Sequence, residues 1–283
     1  MSKPIIINKK ISSFNKKISI DGDKSLSIRW ALLASQAIGK SKAHDILKSE
    51  DVLNTLNCLK KLGVKVKLKD RYCEIIGKGL NTYTYKNNIT LNVGNSGTLG
   101  RLILGLLVHS KKKIRLIGDK SLSKRDFSRV LQPLTKFGAR FQSTANTLPI
   151  SITGSNSLES IKPVKYFEYR GSAQCKSSVM LAALNTNGET IIKAKKSRNH
   201  TELLFKHLKV PIKIKKTKKF DFINIKQPKK IKAFNYQIPG DISSSAFFIV
   251  LTTLANSSKL LIKNVNVNSS RIGVITILKK NGC

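Results

Sequence analysis

The chain has 283 residues, 40% of them apolar, and 53 Lys and Arg against 15 Asp and Glu, for a formal net charge of +38. That length and apolar content support one large or two medium domains with a sizeable core. The longest apolar runs, Leu102 to Val108 and Ala246 to Ala255, are too short to cross a bilayer, the four Cys form no CxxC pair, and the four His have no metal-ligand spacing.

The start Met1-Ser2-Lys3-Pro4 does not read as a signal peptide, so a cytoplasmic protein with no membrane association is expected. The charge invites a nucleic-acid-binding reading, but the residues argue against it. Most of the basic side chains are Lys spread along the whole chain, as an AT-rich coding bias would place them on solvated faces. Only ten are Arg, and five of these (Arg29, Arg101, Arg125, Arg198, Arg271) lie at or beside helix starts. Arg makes bidentate contacts to phosphate and carboxylate, so this concentration points to small-anion binding. With 6% aromatics there is little on which to stack bases.

In chain order, Asp21-Gly22-Asp23-Lys24-Ser25 reads as a turn opening a small-residue helix from Leu26 to Ala37, with Ser25 as N-cap and Lys24 and Arg29 in its first turns. A helix N-terminus with a Lys and an Arg is an anion site or, equally, an ordinary capped helix. Similar starts recur at Asn95-Ser96-Gly97-Thr98, Gly171-Ser172-Ala173-Gln174 and Gly240-Asp241-Ile242-Ser243. From Ser25 through Ser96 and Ser172 to Ser243 the steps are 71, 76 and 71 residues. Each unit continues with a β-rich run (Ile114 to Ile117, Thr190 to Ile192, Leu260 to Ile262 in the last three), then a polar turn and a second helix. Those helices begin near Ser49-Glu50-Asp51, Ser123 to Asp126, Arg198-Asn199-His200 and Ser269-Ser270-Arg271. In the first three units a pair of strands follows, such as Val64 to Leu68 and Tyr72 to Ile76. The fourth stops at Cys283, which leads us to expect a chain truncated at its C-terminus with an uncovered apolar helix face.

Taken together, Asp23 to Arg29, Gly94 to Thr98, Gly118-Asp119-Lys120-Ser121-Leu122 with Arg125, Ser172 to Ser177, Ser197-Arg198-Asn199-His200-Thr201-Glu202 and Pro239 to Ser244 resemble the EPSP synthase family, in its class II branch. The resemblance runs in order from the N-terminus to Cys283. It implies an α/β (α+β) fold, an inside-out α/β barrel of repeated βαβαββ units. One three-unit domain would be complete (21–237), and 1–20 with 238–283 would supply N-terminal strands and the first, truncated unit of a second.

The resemblance also implies the reaction: transfer of the enolpyruvyl group of phosphoenolpyruvate to the 5-hydroxyl of shikimate 3-phosphate, through a tetrahedral intermediate, with release of phosphate. No metal or organic cofactor is implied. Carried onto matching positions, Lys24 would be catalytic and touch both substrates. Ser25, Arg29, Ser172, Ala173, Gln174, Ser197 and Arg198 would bind shikimate 3-phosphate, and Gly97, Arg125 and Gln174 would bind phosphoenolpyruvate. Read one at a time, Ser172 and Ser197 serve equally as helix caps and Gly97 as a turn residue.

Three positions depart from the family pattern, Asp21, Asp126 and Asn199, and an acid beside Arg125 is expected to pair with it. The carboxylates serving as base and proton donor are expected beyond Cys283, so the chain alone is expected to be inactive, and the complete enzyme a monomer without nucleic-acid partners. Two alternatives remain: UDP-N-acetylglucosamine enolpyruvyl transferase, which typically has Lys-Asn where this chain has Lys24-Ser25, and a non-catalytic basic nucleic-acid binder.

Overall fold

The computed structural model describes residues 11–154 and 161–282, so Cys283 and the first ten residues of the expected N-terminal strands lie outside the described residues. The described residues fall into two compact units, one from residues 11–23 with 239–282 and one within residues 24–238.

The larger unit is built three times over on one plan. In the middle repeat, β5 (Ile89–Asn92) leads through helix α3 (Gly97–Leu107) to β6 (Ile114–Ile117), then through α4 (Ser128–Thr135) to the hairpin of β7 (Arg140–Gln142) and β8 (Ile150–Thr153). The sheet order is β5-β6-β8-β7, with β5 parallel to β6 and the remaining pairs antiparallel. The parallel pair needs a crossover, which α3 supplies. The third repeat copies it: β9 (Lys165–Glu168), α5 (Ala173–Ala183), β10 (Glu189–Lys195), α6 (His200–His207), β11 (Ile212–Lys216) and β12 (Phe220–Lys226).

The first repeat has α1 (Lys24–Ala34), β2 (Ile38–His44), α2 (Glu50–Lys61), β3 (Lys65–Lys69) and β4 (Tyr72–Lys78), but its parallel strand comes from the far end of the unit, β13 (Asn235–Gln237). Among the described residues these are three separate open sheets, so the expected barrel is not one closed hydrogen-bonded ladder.

Capping explains where the helices begin. The Ser96 hydroxyl accepts from the Leu99 N–H at 3.2 Å, and Ser172 accepts from Cys175 N–H at the same distance. Helix α1 starts two residues earlier than expected, at Lys24, so Ser25 lies within its first turn and is no cap; it also ends earlier, at Ala34.

Helices α1, α3 and α5 are buried on nearly every side, with Trp30, Leu32, Leu104 and Met180 inaccessible to solvent and polar side chains such as Arg29, Lys176 and Ser177 buried as well. Helices α3 and α5 pack so closely that a Cβ on Gly105 would stand 2.1 Å from the Ser178 carbonyl oxygen. The Lys excess falls on outer strand faces: in Lys65-Val66-Lys67-Leu68-Lys69 all three Lys are exposed while Val66 and Leu68 pack on the core. β3 is an edge strand, where Lys also discourages strand addition.

In the smaller unit β1 (Asn15–Ser19) runs parallel to β14 (Lys259–Lys263), flanked by α7 (Ile242–Leu254) and α8 (Gly273–Lys280). The Asp241 carboxylate caps α7 by accepting from Ser243 N–H at 2.8 Å. Helix α7 buries only Ile242 and Ser245 and α8 buries nothing, so Phe247 and Leu254 are about four-fifths exposed, at 80% and 78%.

Candidate active site

The first turns of α3 and α5 bring one group of expected residues together. Gln174, in the first turn of α5, donates from Nε2 to Thr98 Oγ1 at 3.1 Å, while its Oε1 accepts from Arg101 Nη1 at 3.3 Å. Arg101 lies one helical turn beyond Gly97 and donates to the Gly97 carbonyl at 3.1 Å and to the Asp126 carbonyl at 3.3 Å, with its guanidinium over the Phe127 ring. Burial, above all, with help from the like charges of Arg125 and Arg129, pushes the Arg101 pKa below its ordinary value.

A Cβ at Gly97 would approach Arg101 Nη1 to 2.8 Å and Arg125 Nη1 to 3.3 Å. Two guanidiniums therefore converge on the space the missing side chain leaves. Arg125 is exposed and donates to Asn95 Oδ1 at 3.3 Å.

Asp126 corrects the expectation of a pair with Arg125. Its two carboxylate oxygens accept from the Ser128 N–H at 2.8 Å and the Ser128 hydroxyl at 2.6 Å. Those bonds, first the hydroxyl's and then the amide's, hold its pKa below the usual value. The carboxylate turns into the start of α4, where a helix N-terminus favours it.

A second group forms around Arg29, which is buried on α1. Its Nη1 donates to the Ser25 hydroxyl at 2.9 Å and carbonyl at 3.1 Å, its Nε to Thr201 Oγ1 at 2.9 Å and its Nη2 to Ser177 Oγ at 3.2 Å. Lys24 is half-exposed (50%) and pairs with Asp51 of α2 at 2.8 Å. Ser172 caps α5 while its own N–H donates to Glu168 Oε2 at 2.7 Å, and Glu168 in turn holds Arg129 at 3.1 Å. Ala173 opens α5, half-buried.

Ser197 is not the cap of α6, a position taken by Asn199, and its hydroxyl oxygen is buried without a hydrogen-bond partner. Such an oxygen is an acceptor and donor left over for a ligand or water. Arg198, next to it, is exposed. No hydrogen bond among the described residues ties Ser197 or Arg198 to the other groups.

Thr98, Ser177 and Thr201 had no role in the sequence reading, and Arg101, counted there among the helix-start arginines, was assigned to neither substrate. Arg101 had a detectable signal, its place four residues after Gly97, which puts both on one helix face. The other three depend on how α1, α3, α5 and α6 pack. Four carboxylates in or beside these groups have partners: Asp51 with Lys24, Asp126 with Ser128, Glu168 with Ser172 and Arg129, and Glu202 with Lys176. The thiols of Cys58 and Cys73 are buried and pushed up to about 12 by that burial, so neither is poised as a nucleophile. Among the described residues no helix is long and apolar enough to cross a membrane.

Residues 8–283 match the model of a family described as EPSP synthase (3-phosphoshikimate 1-carboxyvinyltransferase). The chain is 40% identical over 267 residues to a 3-phosphoshikimate 1-carboxyvinyltransferase of Thermoanaerobacter sp. (strain X514), covering 94% of this chain and 61% of that protein. It is 41% identical over 284 residues to that of Ruthia magnifica subsp. Calyptogena magnifica, covering 100% and 63%. A solved EPSP synthase from Acinetobacter baumannii superposes with a TM-score of 0.85 at 34% identity, covering 95% of this chain and 60% of that one. The chain belongs to the EPSP synthase family. It spans a little over three-fifths of the length of the curated relatives it matches, 61% and 63% in the two cases above.

Proposed function

We propose that the protein contributes the substrate-binding half of a 3-phosphoshikimate 1-carboxyvinyltransferase. That reaction moves the enolpyruvyl group of phosphoenolpyruvate to the 5-hydroxyl of shikimate 3-phosphate and releases phosphate. The observation that carries this reading is the convergence of Arg101 and Arg125 beside Gly97, where the lack of a side chain lets both guanidiniums approach the backbone, with the doubly held Gln174 amide bonded to Arg101. Preorganised cations and a fixed amide suit an anion whose charge changes during reaction, because they need no reorganisation when it reacts. These groups take the phosphate and carboxylate of phosphoenolpyruvate.

Shikimate 3-phosphate is the ligand of Ser25, Arg29, Ser172, Ala173, Gln174, Ser197 and Arg198. Its phosphate meets the two serines, Ser172 and Ser197, and Arg198, and the unpartnered Ser197 hydroxyl supports that assignment. In the addition step the 5-hydroxyl oxygen bonds to C2 of phosphoenolpyruvate, its proton goes to a base, and C3 receives a proton. Loss of phosphate with a proton from C3 restores the double bond. Lys24, half-exposed and held by one carboxylate, is the proton-transferring group of this chain. None of the partnered carboxylates Asp51, Asp126, Glu168 and Glu202 is assigned as the base.

Residues 21–237 form the complete three-unit domain, and 1–20 with 238–283 belong to a second, in a cytoplasmic protein that acts as a monomer without nucleic acid. In a turnover-competent preparation, phosphate appears only when both substrates are present, one per enol ether formed. Phosphate released at the same rate from phosphoenolpyruvate alone contradicts the assignment.

A further inference from the structure

We propose that Ser177 and Thr201 are positioning residues that aim the Arg29 guanidinium at shikimate 3-phosphate, and that the buried Lys176–Glu202 pair holds α5 and α6 in the register this requires. The proposal rests on the reading that Arg29 binds that substrate.

The arrangement is two adjacent pairs spanning the same two helices. Ser177 and Thr201 hydrogen-bond to one another at 2.7 Å, and each accepts from a different nitrogen of Arg29, Nη2 at 3.2 Å and Nε at 2.9 Å. The Ser25 hydroxyl takes Nη1 at 2.9 Å. A planar guanidinium gripped at three nitrogens by groups on α1, α5 and α6 cannot turn about its own bonds, so its direction is set by where those helices stand. One residue before Ser177 and one after Thr201, Lys176 and Glu202 meet at 2.5 Å with their side chains 0% and 4% exposed.

Stability alone gives no reason for that pair. Desolvating two charges cancels most of their attraction, and apolar side chains of similar volume in the same place are often as stable or more so. What the pair adds is directional: the two buried charges offset one another, without a well-aligned hydrogen bond, only when Lys176 and Glu202 face each other, and that register also sets Ser177 opposite Thr201.

The test uses the 283-residue chain, with calorimetric titration of shikimate 3-phosphate and a thermal melt on each variant. Thr201→Val, which keeps the shape and removes the acceptor for Arg29 Nε, is expected to weaken binding about tenfold or more, the size of one lost charge-assisted hydrogen bond. Thr201→Ser is expected to bind within about threefold of the parent, a rescue that mere packing at this position would not give. The double variant Lys176→Met, Glu202→Leu is expected to melt cooperatively near the parent temperature and yet lose about tenfold in affinity. Unchanged affinity in Thr201→Val overturns the proposal, as does equal loss in Thr201→Val and Thr201→Ser. Should the double variant not fold, the two Thr201 variants decide alone. A parent chain that shows no saturable binding overturns the functional reading beneath it, and with it this proposal.

Discussion

Arg101 and Gln174 fix one another across the first turns of α3 and α5: the guanidinium donates to the amide oxygen at 3.3 Å while the amide nitrogen donates to Thr98 at 3.1 Å. The amide is thereby held with its oxygen toward a cation and its nitrogen toward a hydroxyl. Gln174→Glu would strengthen the contact to Arg101 and add a negative charge among groups proposed to receive two anions. We expect affinity for shikimate 3-phosphate to fall about tenfold or more, while the melting temperature stays within a few degrees. Calorimetry and a thermal melt on the same sample check both halves. Unchanged affinity would place Gln174 outside the site.

Gly97→Ala sets two effects against each other. Alanine is better than glycine inside a helix by about 1 kcal/mol, but its methyl group would stand 2.8 Å from Arg101 Nη1 and 3.3 Å from Arg125 Nη1. Both contacts are with the far ends of long side chains, which can swing away. Stability should therefore hold or rise slightly while the two guanidiniums are displaced. In turnover, the half-saturating concentration of phosphoenolpyruvate should rise more than that of shikimate 3-phosphate. Equal effects on both substrates would count against this placement of phosphoenolpyruvate.

Lys24 separates charge from proton transfer. Its ion pair with Asp51 is half-exposed, and such pairs contribute only about 0.2–1 kcal/mol. Lys24→Arg should thus leave the melting curve almost unchanged and keep part of the ligand binding, yet abolish turnover, because a guanidinium does not give up its proton. Near-parental turnover in that variant would reduce Lys24 to an electrostatic anchor.

His109, at the end of α3, is buried with Nε2 3.3 Å from the Ala182 carbonyl, and burial depresses its pKa from 6.5 to about 4. Between those values the unfolded chain binds a proton on this imidazole that the folded chain does not. Stability should therefore fall as pH drops from 6.5 toward 4, by up to about 1.4 kcal/mol per pH unit from this group, and the dependence should level off below. Denaturant melts of the parent and of His109→Gln across that range measure the difference. Parallel curves would show that the imidazole takes up its proton equally in the folded and unfolded chain, against a depressed pKa.

What the sequence disclosed was local chemistry. Ser96, Ser172 and Asp241 cap their helices because a cap needs only a side-chain oxygen beside a free N–H, and that pattern is visible in one turn of chain. The strand expected from Val64 to Leu68 was legible too and forms one residue later, at Lys65–Lys69. Where a side chain has two local options the sequence misled: Asp126 stands beside Arg125, yet its carboxylate is taken by the Ser128 amide and hydroxyl two residues on. Ser25 resembled a cap and proved to be an acceptor for Arg29. Roles that depend on tertiary packing were not readable at all. Thr201 meets Arg29 across 172 residues, and Asn235–Gln237 completes the sheet begun at Ile38.

The most direct test of the central claim is a calorimetric titration of shikimate 3-phosphate into the 283-residue chain, repeated with Ser172→Ala and Arg125→Ala. We predict weak, saturable binding at one site per chain, lowered about tenfold or more by Ser172→Ala and little changed by Arg125→Ala, with no phosphate released when phosphoenolpyruvate is added. A cooperatively folded chain that fails to bind, or binds equally well without the Ser172 hydroxyl, contradicts the placement of this substrate at the start of α5.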